Sequence, residues 1–562
     1  MTARLETLPA ERTDVLLVGY EDRDNLGIRY LLSSLRRAGH SGEIVRYRSD
    51  PRDLIDRVRS DCPILIGFSL IFQYMAPDFE GVIRALRDAG INTHITMGGH
   101  YPSFDPEEIL RRIDGLDTVV RYEGEETLTE LVERLKTGRP WQDILGIAYR
   151  NGDGVVTNAL RPAVSDLDTL PRPERASFNY EAEALPTAAI LGSRGCPWVC
   201  TFCSIRPFYE AQGGALRRFR KPAEVVAEML DLYNQRGIYL YLFQDDDFLA
   251  GGRHARQWAC EIADQIVDAN LAGKIAFKIS CRSDEIDRDC LKHLQGGGLT
   301  HVYMGVEAGD ESDLLEMNKR LKPVTHLEAG KVLRSLDMSF DFGFMMLQPY
   351  STFQTIRNNI QFLEDFVGDG YAVASFCRML PYAGTPIKSR LEKEGRLLGT
   401  PFEPDYKFLD PKIDLFYDWI LTTFHERNFT SGGLCHILRA MLFEAYANLE
   451  EKTVSPEQRD YLHYLASVCN RTALYSLRSA LDHIEQTDLS ELEKDPFYLR
   501  SLTAHEHREE AELTREVTQL YASFGSRKPL ADRIQELPGG FDKTWTLADS
   551  PSGDKSKFDG LR

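Results

Sequence analysis

Cys196, Cys200 and Cys203 fall within the short stretch Gly195-Cys196-Pro197-Trp198-Val199-Cys200-Thr201-Phe202-Cys203. Three thiolates on one loop suit three corners of a 4Fe–4S cube and leave the fourth iron open to a small molecule. Soft sulfur ligands favour iron–sulfur or zinc over hard cations. A structural zinc site wants a fourth Cys or His at nearby spacing. No His stands within twenty residues on either side, so zinc is the weaker reading. Gly195 and Pro197 flank the first thiol and shape a tight turn. The bland alternative is three buried or disordered cysteines.

Other chemistry-bearing residues are spread along the chain. Asp245, Asp246 and Asp247 are adjacent, and three carboxylates together are costly unless a cation shares them. Helix capping or a solvated acidic turn is the rival reading. Ser280 and Arg282 close an apolar run, and Arg is the natural bidentate partner of a carboxylate. Glu307 follows another apolar run; it reads as an acceptor for hydroxyl groups or as half of an ion pair. Cys281 and Cys377 end expected strands. A thiol can donate a hydrogen atom, and for each the alternative is a small core residue. Tyr209 and Glu210, just past the thiol loop, either face a substrate or pack the loop.

These residues need elements to hold them. Candidate strands Asp14–Gly19, Glu43–Tyr47, Pro63–Ser69, Thr93–Gly98 and Thr118–Arg121 alternate with amphipathic helices such as Ala76–Ala89. That order predicts a parallel sheet covered on both faces, with ligands beyond the strands' C-terminal ends. Three loops lie there: Tyr20–Gly27, Leu70–Tyr74 and Gly98-Gly99-His100-Tyr101. Paired glycines let a large flat ligand approach the backbone. His100 by itself reads more readily as a loop residue than as a ligand.

Pro162, Pro171 and Pro173 mark residues 151–182 as a connector. A second series is expected at Ala188–Gly192, Ile238–Phe243, Ile275–Ser280, His301–Val306, Ser339–Met345 and Tyr371–Cys377. A helix starts at Pro222 and stops at Gly237. Six strand–helix units suggest a partial version of the eight-fold barrel, with reactive groups at the strands' C-terminal ends. Residues 401–522 read as a helical cap over the barrel mouth, and 523–562 as a polar, poorly ordered tail.

The chain has 562 residues, 43% hydrophobic and 27% charged, with net charge −19. That balance argues against a nucleic-acid binder relying on a broad basic surface. No apolar run reaches the ~18 residues a membrane span requires, and the N-terminus lacks the apolar core of a secretion signal. The expected compartment is the reducing cytoplasm, where the ten cysteines are thiols or cluster ligands.

Cys196-x3-Cys200-x2-Cys203, with Phe202 before the last Cys, resembles the signature of the radical S-adenosylmethionine enzymes. The resemblance implies that the open iron chelates S-adenosylmethionine, whose one-electron cleavage yields a 5′-deoxyadenosyl radical, with Phe202 near the adenine. It implies that Asp245, Asp246 and Asp247 receive the methionine ammonium, Ser280 and Arg282 its carboxylate, and Glu307 the ribose. The turn Leu380-Pro381-Tyr382-Ala383-Gly384-Thr385-Pro386 resembles a recurrent end-of-barrel segment. Residues 10–150 resemble the cobalamin-binding domain that precedes many such enzymes. The matches are Asn25-Leu26-Gly27, Gly98-Gly99-His100 and Tyr122-Glu123-Gly124-Glu125; with Asn25, Gly98, Gly99, His100 and Glu123, Ser69 is counted as a cofactor contact.

The Asp-x-His-x-x-Gly motif, whose His ligates cobalt in related methyl carriers, is absent. Radical enzymes of this architecture usually lack it too, so an empty, vestigial flavodoxin-like domain stays open. The implied fold is α/β: a Rossmann-like domain at 10–150, a linker, a partial (β/α)6 barrel at 183–400 and the helical C-terminus. The implied activity is methylation of an unactivated carbon in a small specialised metabolite, fed by an electron donor such as flavodoxin or ferredoxin, with no nucleic-acid or membrane partner. A radical reaction without methyl transfer (dehydration, epimerisation, rearrangement, cyclisation, sulfur transfer) and a non-catalytic cobalamin or redox sensor are the two rivals.

Overall fold

The computed structural model describes residues 13–21, 24–177, 186–430, 432–447 and 454–524. The residues read as a polar tail lie outside this set, apart from Ser523 at the end of the last helix and Phe524 after it. The chain divides into two compact units, one running through residue 178 with 207–215, the other holding 179–206 and everything from 216 onward.

In the first unit, β1 (Val15–Gly19), β2 (Gly42–Arg46), β3 (Leu65–Ser69), β4 (His94–Gly99) and β5 (Thr118–Arg121) form a parallel sheet. β6 (Ile147–Asn151) and β7 (Gly154–Thr157) extend it antiparallel, in the order β2-β1-β3-β4-β5-β6-β7. β1 is fully buried, as a strand covered on both faces must be. The order reverses between β1 and β3, which places the switch point there. β7 lies within the stretch expected to be a connector, and that expectation is corrected: the hairpin continues the sheet.

In the second unit, β8 (Thr187–Ile190) leads to the short β9 (Ser193–Arg194), which pairs antiparallel with β10 (Arg218–Phe219). β11 (Leu240–Phe243), β12 (Ala276–Arg282), β13 (Leu299–Glu307), β14 (Ser339–Leu347) and β15 (Cys377–Arg378) join β8 in a six-stranded sheet, β15-β14-β13-β12-β11-β8. All its pairings are parallel, and it curls through 188° into a half-barrel. A small hairpin follows, β16 (Leu397–Gly399) with β17 (Pro404–Tyr406).

Two expectations are corrected here. The sixth strand was expected from Tyr371, but only Cys377 and Arg378 pair with β14. The preceding backbone is satisfied by side chains of the C-terminal helices instead. Asn470 accepts from the Ala374 amide (2.8 Å) and donates to the Ala372 carbonyl (2.9 Å), while Arg427 donates to the Ala374 carbonyl (3.1 Å). Nor does the helix Leu434–Ala447 cover the mouth. Its Phe443 packs with Leu240 and Ala276, the first residues of β11 and β12, and with Leu242, and lies 5.0 Å from the His301 ring. This helix closes the lumen from below, opposite the strand ends that carry the thiol loop.

Candidate active site

The thiol loop is braced along its length. Asp245 accepts from the Gly192 amide (2.9 Å) and the Ser193 hydroxyl, and Asp246 accepts from the Gly195 amide at 2.8 Å. Gly195 has φ +94°, and a Cβ there would stand 2.0 Å from the Leu216 carbonyl oxygen, so only glycine fits. Trp198 Nε1 donates to Glu285 (3.1 Å), and Asn318 donates to the Val199 carbonyl (3.0 Å). The Thr201 amide donates to the Met317 carbonyl (3.0 Å) and its hydroxyl to that of Glu316 (3.0 Å).

Among the described residues no three His, Cys, Asp or Glu side chains gather as they would around a single metal ion. The donor set is three soft sulfurs, which fits an iron–sulfur cluster better than a lone hard ion. Burial pushes the Cys203 thiol up to about 12; coordination would deprotonate it outright.

The aspartate triplet therefore shapes loops first. Asp247 accepts from the Leu249 and Ala250 amides (3.3 and 3.2 Å), so every member has a backbone donor. Burial pushes Asp246 up to about 6.

Arg282 departs from expectation. Its guanidinium lies 4.1 Å over the Trp198 ring, with Nη1 3.8 Å from the Cys200 sulfur. Nε pairs with Asp284 at 2.9 Å and Nη2 donates to the Lys319 carbonyl at 2.7 Å. This fork supports the thiol loop rather than standing open for a carboxylate.

Lys319 was missed by sequence reasoning. It is buried, donates to the Gly305 carbonyl at 2.9 Å, and stands 3.5 Å from Glu307 Oε1. Nothing in Met317-Asn318-Lys319-Arg320 distinguishes it from a surface cation. The strain around it was equally invisible. Glu307 (φ +71°), Asn318 (+53°) and Arg320 (+57°) are left-handed non-glycine residues, a costly conformation that concentrates at functional sites. Burial holds Glu307 above the ordinary carboxylate range, and Lys319 opposes that shift.

Strand alternation sorts the remaining candidates. Ser280 shares a face of β12 with Lys278 and Arg282, and Lys278 Nζ lies 5.5 Å from the Tyr303 ring of β13. Deeper, His301 Nδ1 pairs with Ser339 (3.0 Å) and Arg439 with Asp341 (3.1 Å), giving a polar floor. Cys377 donates to the Phe344 carbonyl at 3.5 Å and feels the charge of Glu307. Cys281 lies on the other face, with Phe277 and Ile279, where burial and the neighbouring Asp247 and Glu285 carboxylates raise its thiol pKa. A donor role fits that position poorly. Phe202 is half-buried beside Cys203.

In the first unit, Asn25 caps the helix Leu26–Arg37 by accepting from Ile28 (3.3 Å) and donates to the Tyr20 carbonyl (3.2 Å). A Cβ on Gly19 would lie 3.6 Å from both Asn25 Nδ2 and Ser69 Cβ, so these residues converge at the switch point. The paired glycines serve another purpose than expected. A Cβ on Gly99 (φ +116°) would stand 2.0 Å from the Leu70 carbonyl oxygen, and one on Gly98 3.1 Å from that of Val120. Neighbouring backbone takes the room assigned to a ligand.

Glu123 accepts from the Val164 amide at 3.0 Å and so ties down the following segment. His100 stacks on Phe208 (4.1 Å, 22°), beside Tyr122, whose ring lies 4.9 Å from Phe208. Tyr209 packs edge-on against Phe208 at 5.2 Å, the loop-packing alternative; Glu210 is exposed. Burial pushes His100 down to about 4, and its Nε2 has no hydrogen-bond partner. A polar switch point beside a flat aromatic group suits a large planar ring. The stacked His100 is engaged on its face.

Comparison with known proteins agrees with both halves. Residues 12–132 match the B12 binding domain model, and residues 190–363 match that of the radical SAM superfamily. An uncharacterized methyltransferase of Pyrococcus horikoshii is 26% identical over 427 residues, 75% of this chain and 87% of the relative. The anaerobic magnesium-protoporphyrin IX monomethyl ester cyclase of Cereibacter sphaeroides is 25% identical over 384 residues, 65% of this chain but only 60% of that protein's length. The solved cobalamin-dependent S-adenosylmethionine radical enzyme OxsB, with aqua-cobalamin and S-adenosylmethionine bound, superimposes with a TM-score of 0.68. It is 17% identical, covers 95% of this chain and 84% of its own, and so speaks for the fold.

Proposed function

Since this chain belongs to the radical S-adenosylmethionine superfamily and carries a B12-binding domain, we propose that it methylates an unactivated carbon of a small specialised metabolite. When bound, the 4Fe–4S cluster with S-adenosylmethionine supplies a radical that takes hydrogen from carbon, and cobalamin supplies the methyl group. The chain's own residues bind, orient and exclude water.

Cys196, Cys200 and Cys203 would hold the cluster. Arg282 and Lys319, close to Cys200, favour its anionic thiolate. Glu307, held by Lys319, presents a carboxylate at the end of β13 for the ribose hydroxyls. The aspartates fix the loop's height above the strand ends, and the ammonium would share Asp246 or Asp247. Asn25, Ser69 and the aromatic group around His100 would receive the corrin without a histidine ligand. The wall of β12–β15 would face substrate.

The observation that carries the reading is the thiol loop braced by Asp245, Asp246, Glu285 and the 316–319 segment. Anaerobic reconstitution with cobalamin, reductant and methyl-deuterated S-adenosylmethionine tests it. Expected products are 5′-deoxyadenosine and one labelled methyl per turnover. Deoxyadenosine without a methylated product would favour a non-methylating radical reaction, a reading kept because one relative is named a cyclase. No deoxyadenosine would leave a sensor. The electron donor is a soluble protein of the flavodoxin or ferredoxin kind, and the expected setting is the cytoplasm. Among the described residues no helix is long and apolar enough to cross a membrane.

A further inference from the structure

Four buried polar atoms without hydrogen-bond partners gather behind β15: Arg378 Nε, Asp405 Oδ2, Tyr406 Oη and Tyr417 Oη. Their residues are 3%, 4%, 1% and 4% exposed, so bulk water does not satisfy them. They come from three separate elements: β15, the hairpin strand β17 and the helix Pro411–Phe429. The Arg378 guanidinium lies 4.9 Å from the Tyr406 ring centre and 4.3 Å from that of Tyr417. Its Nη2 pairs with Asp405 Oδ1, which also accepts from the Tyr406 amide at 2.7 Å. Phe408 closes the group, 5.3 Å from Tyr406 and 6.1 Å from Tyr417.

Native proteins rarely leave buried donors and acceptors unpaired, because each such group forfeits its hydration without return. A cluster of four calls for a partner that arrives from outside. The position is suitable: Arg378 directly follows Cys377 on β15 and pairs with Leu347 at the C-terminal end of β14. Arg378 and Asp405 already cancel each other. A further buried charge would find no counter-charge and would be costly. What remains open is one N–H donor, one carboxylate acceptor and two hydroxyls that can do either.

Building on the radical-enzyme reading above, we propose that Arg378, Asp405, Tyr406 and Tyr417 form the recognition end of the substrate site and take an uncharged donor–acceptor group, a carboxamide or a hydroxyl. The two tyrosines set specificity; they fix which end of the substrate lies beside Cys377.

The test uses acetamide as the probe, with acetate and methylammonium as charged controls, on the anaerobic cluster-loaded protein. Crystals soaked in acetamide should show it within hydrogen-bond distance of Tyr406 Oη and Tyr417 Oη, and neither control should bind there. Tyr406→Phe and Tyr417→Phe should leave the thermal midpoint of the probe-free protein unchanged or raised, since no bond is lost. Each should weaken acetamide about tenfold, as the loss of one hydrogen bond does.

Absence of acetamide from the cluster, equal binding of a charged control, or a lowered midpoint in either Phe variant would each overturn the proposal. The last would mean that the hydroxyls already have an internal or water partner. 5′-Deoxyadenosine formation by the unmodified protein, followed in parallel, keeps the two readings apart. Its loss sinks the radical assignment alone, and failed acetamide binding with intact cleavage sinks the subsite alone.

Discussion

Lys319→Met removes the cation beneath the thiol loop while keeping most of the side chain's volume. Lys319 is 3% exposed, and the Glu307 side chain 16%. The substitution deletes a hydrogen bond to the Gly305 carbonyl and the charge opposite Glu307. Breaking a buried pair on one side costs about 3–5 kcal/mol; the partial exposure of Glu307 and the 3.5 Å separation bring this to about 2–3 kcal/mol near pH 8.

The pH dependence has a definite sign. Glu307 already titrates above its ordinary value because burial outweighs Lys319. An acid with a raised folded pKa binds its proton more tightly when folded, so it destabilises increasingly as pH rises from the unfolded to the folded pKa. Removing Lys319 raises the folded pKa further and widens that window upward. As pH falls and Glu307 takes up its proton, the charge contribution fades and the loss approaches that of the Gly305 hydrogen bond alone, about 1 kcal/mol.

Thermal unfolding of the reconstituted protein, followed anaerobically, should show a midpoint loss of roughly 2–4 °C near pH 8 and a smaller one near pH 5. Adding Glu307→Gln should restore part of the loss by removing the stranded charge, a coupling above about 1 kcal/mol. Equal losses at both pH values, together with strict additivity of the double variant, would refute the reasoning. Lys319 would then act through Gly305 alone.

Changing Cys196, Cys200 and Cys203 together to Ala should abolish the brown absorbance and all S-adenosylmethionine cleavage; four irons retained in that variant would sink the ligand assignment. His100→Ala should leave the visible and paramagnetic spectra of bound cobalamin without any lost nitrogen ligation, since the ring is stacked on Phe208; a changed axial signal contradicts this. Gly99→Ala should cost more than about 2 kcal/mol, from its left-handed φ and the Leu70 carbonyl in its path; a neutral effect would mean the strand ends relax apart. Asn470→Ala should cost about 3–5 kcal/mol, because the Val367 and Ala372 carbonyls and the Ala374 amide lose their partner together; wild-type stability would show that water replaces it.

Sequence alone was enough for what depends on near neighbours. Three thiols in one loop have a meaning independent of the rest of the chain. The alternation of apolar runs and amphipathic helices located the strands β1 to β5 and β11 to β14 to within a few residues, because side-chain period is a local property. The last strand failed for the complementary reason. Tyr371–Cys377 has strand composition, but whether its backbone bonds to β14 or to Asn470 and Arg427 depends on residues fifty to a hundred positions away.

The site followed the same division. Asp245, Asp246, Asp247, Arg282 and Glu123 were recognisable as residues able to bind something; their backbone and ring partners were not. Gly98 and Gly99 announced a close approach, yet only the packed sheet reveals that the approaching groups are the Val120 and Leu70 carbonyls. Lys319 and the Arg378–Asp405–Tyr406–Tyr417 cluster carry no spacing signal at all. A lysine or tyrosine reads as surface or core in sequence, and burial without a partner arises only when distant elements close around it.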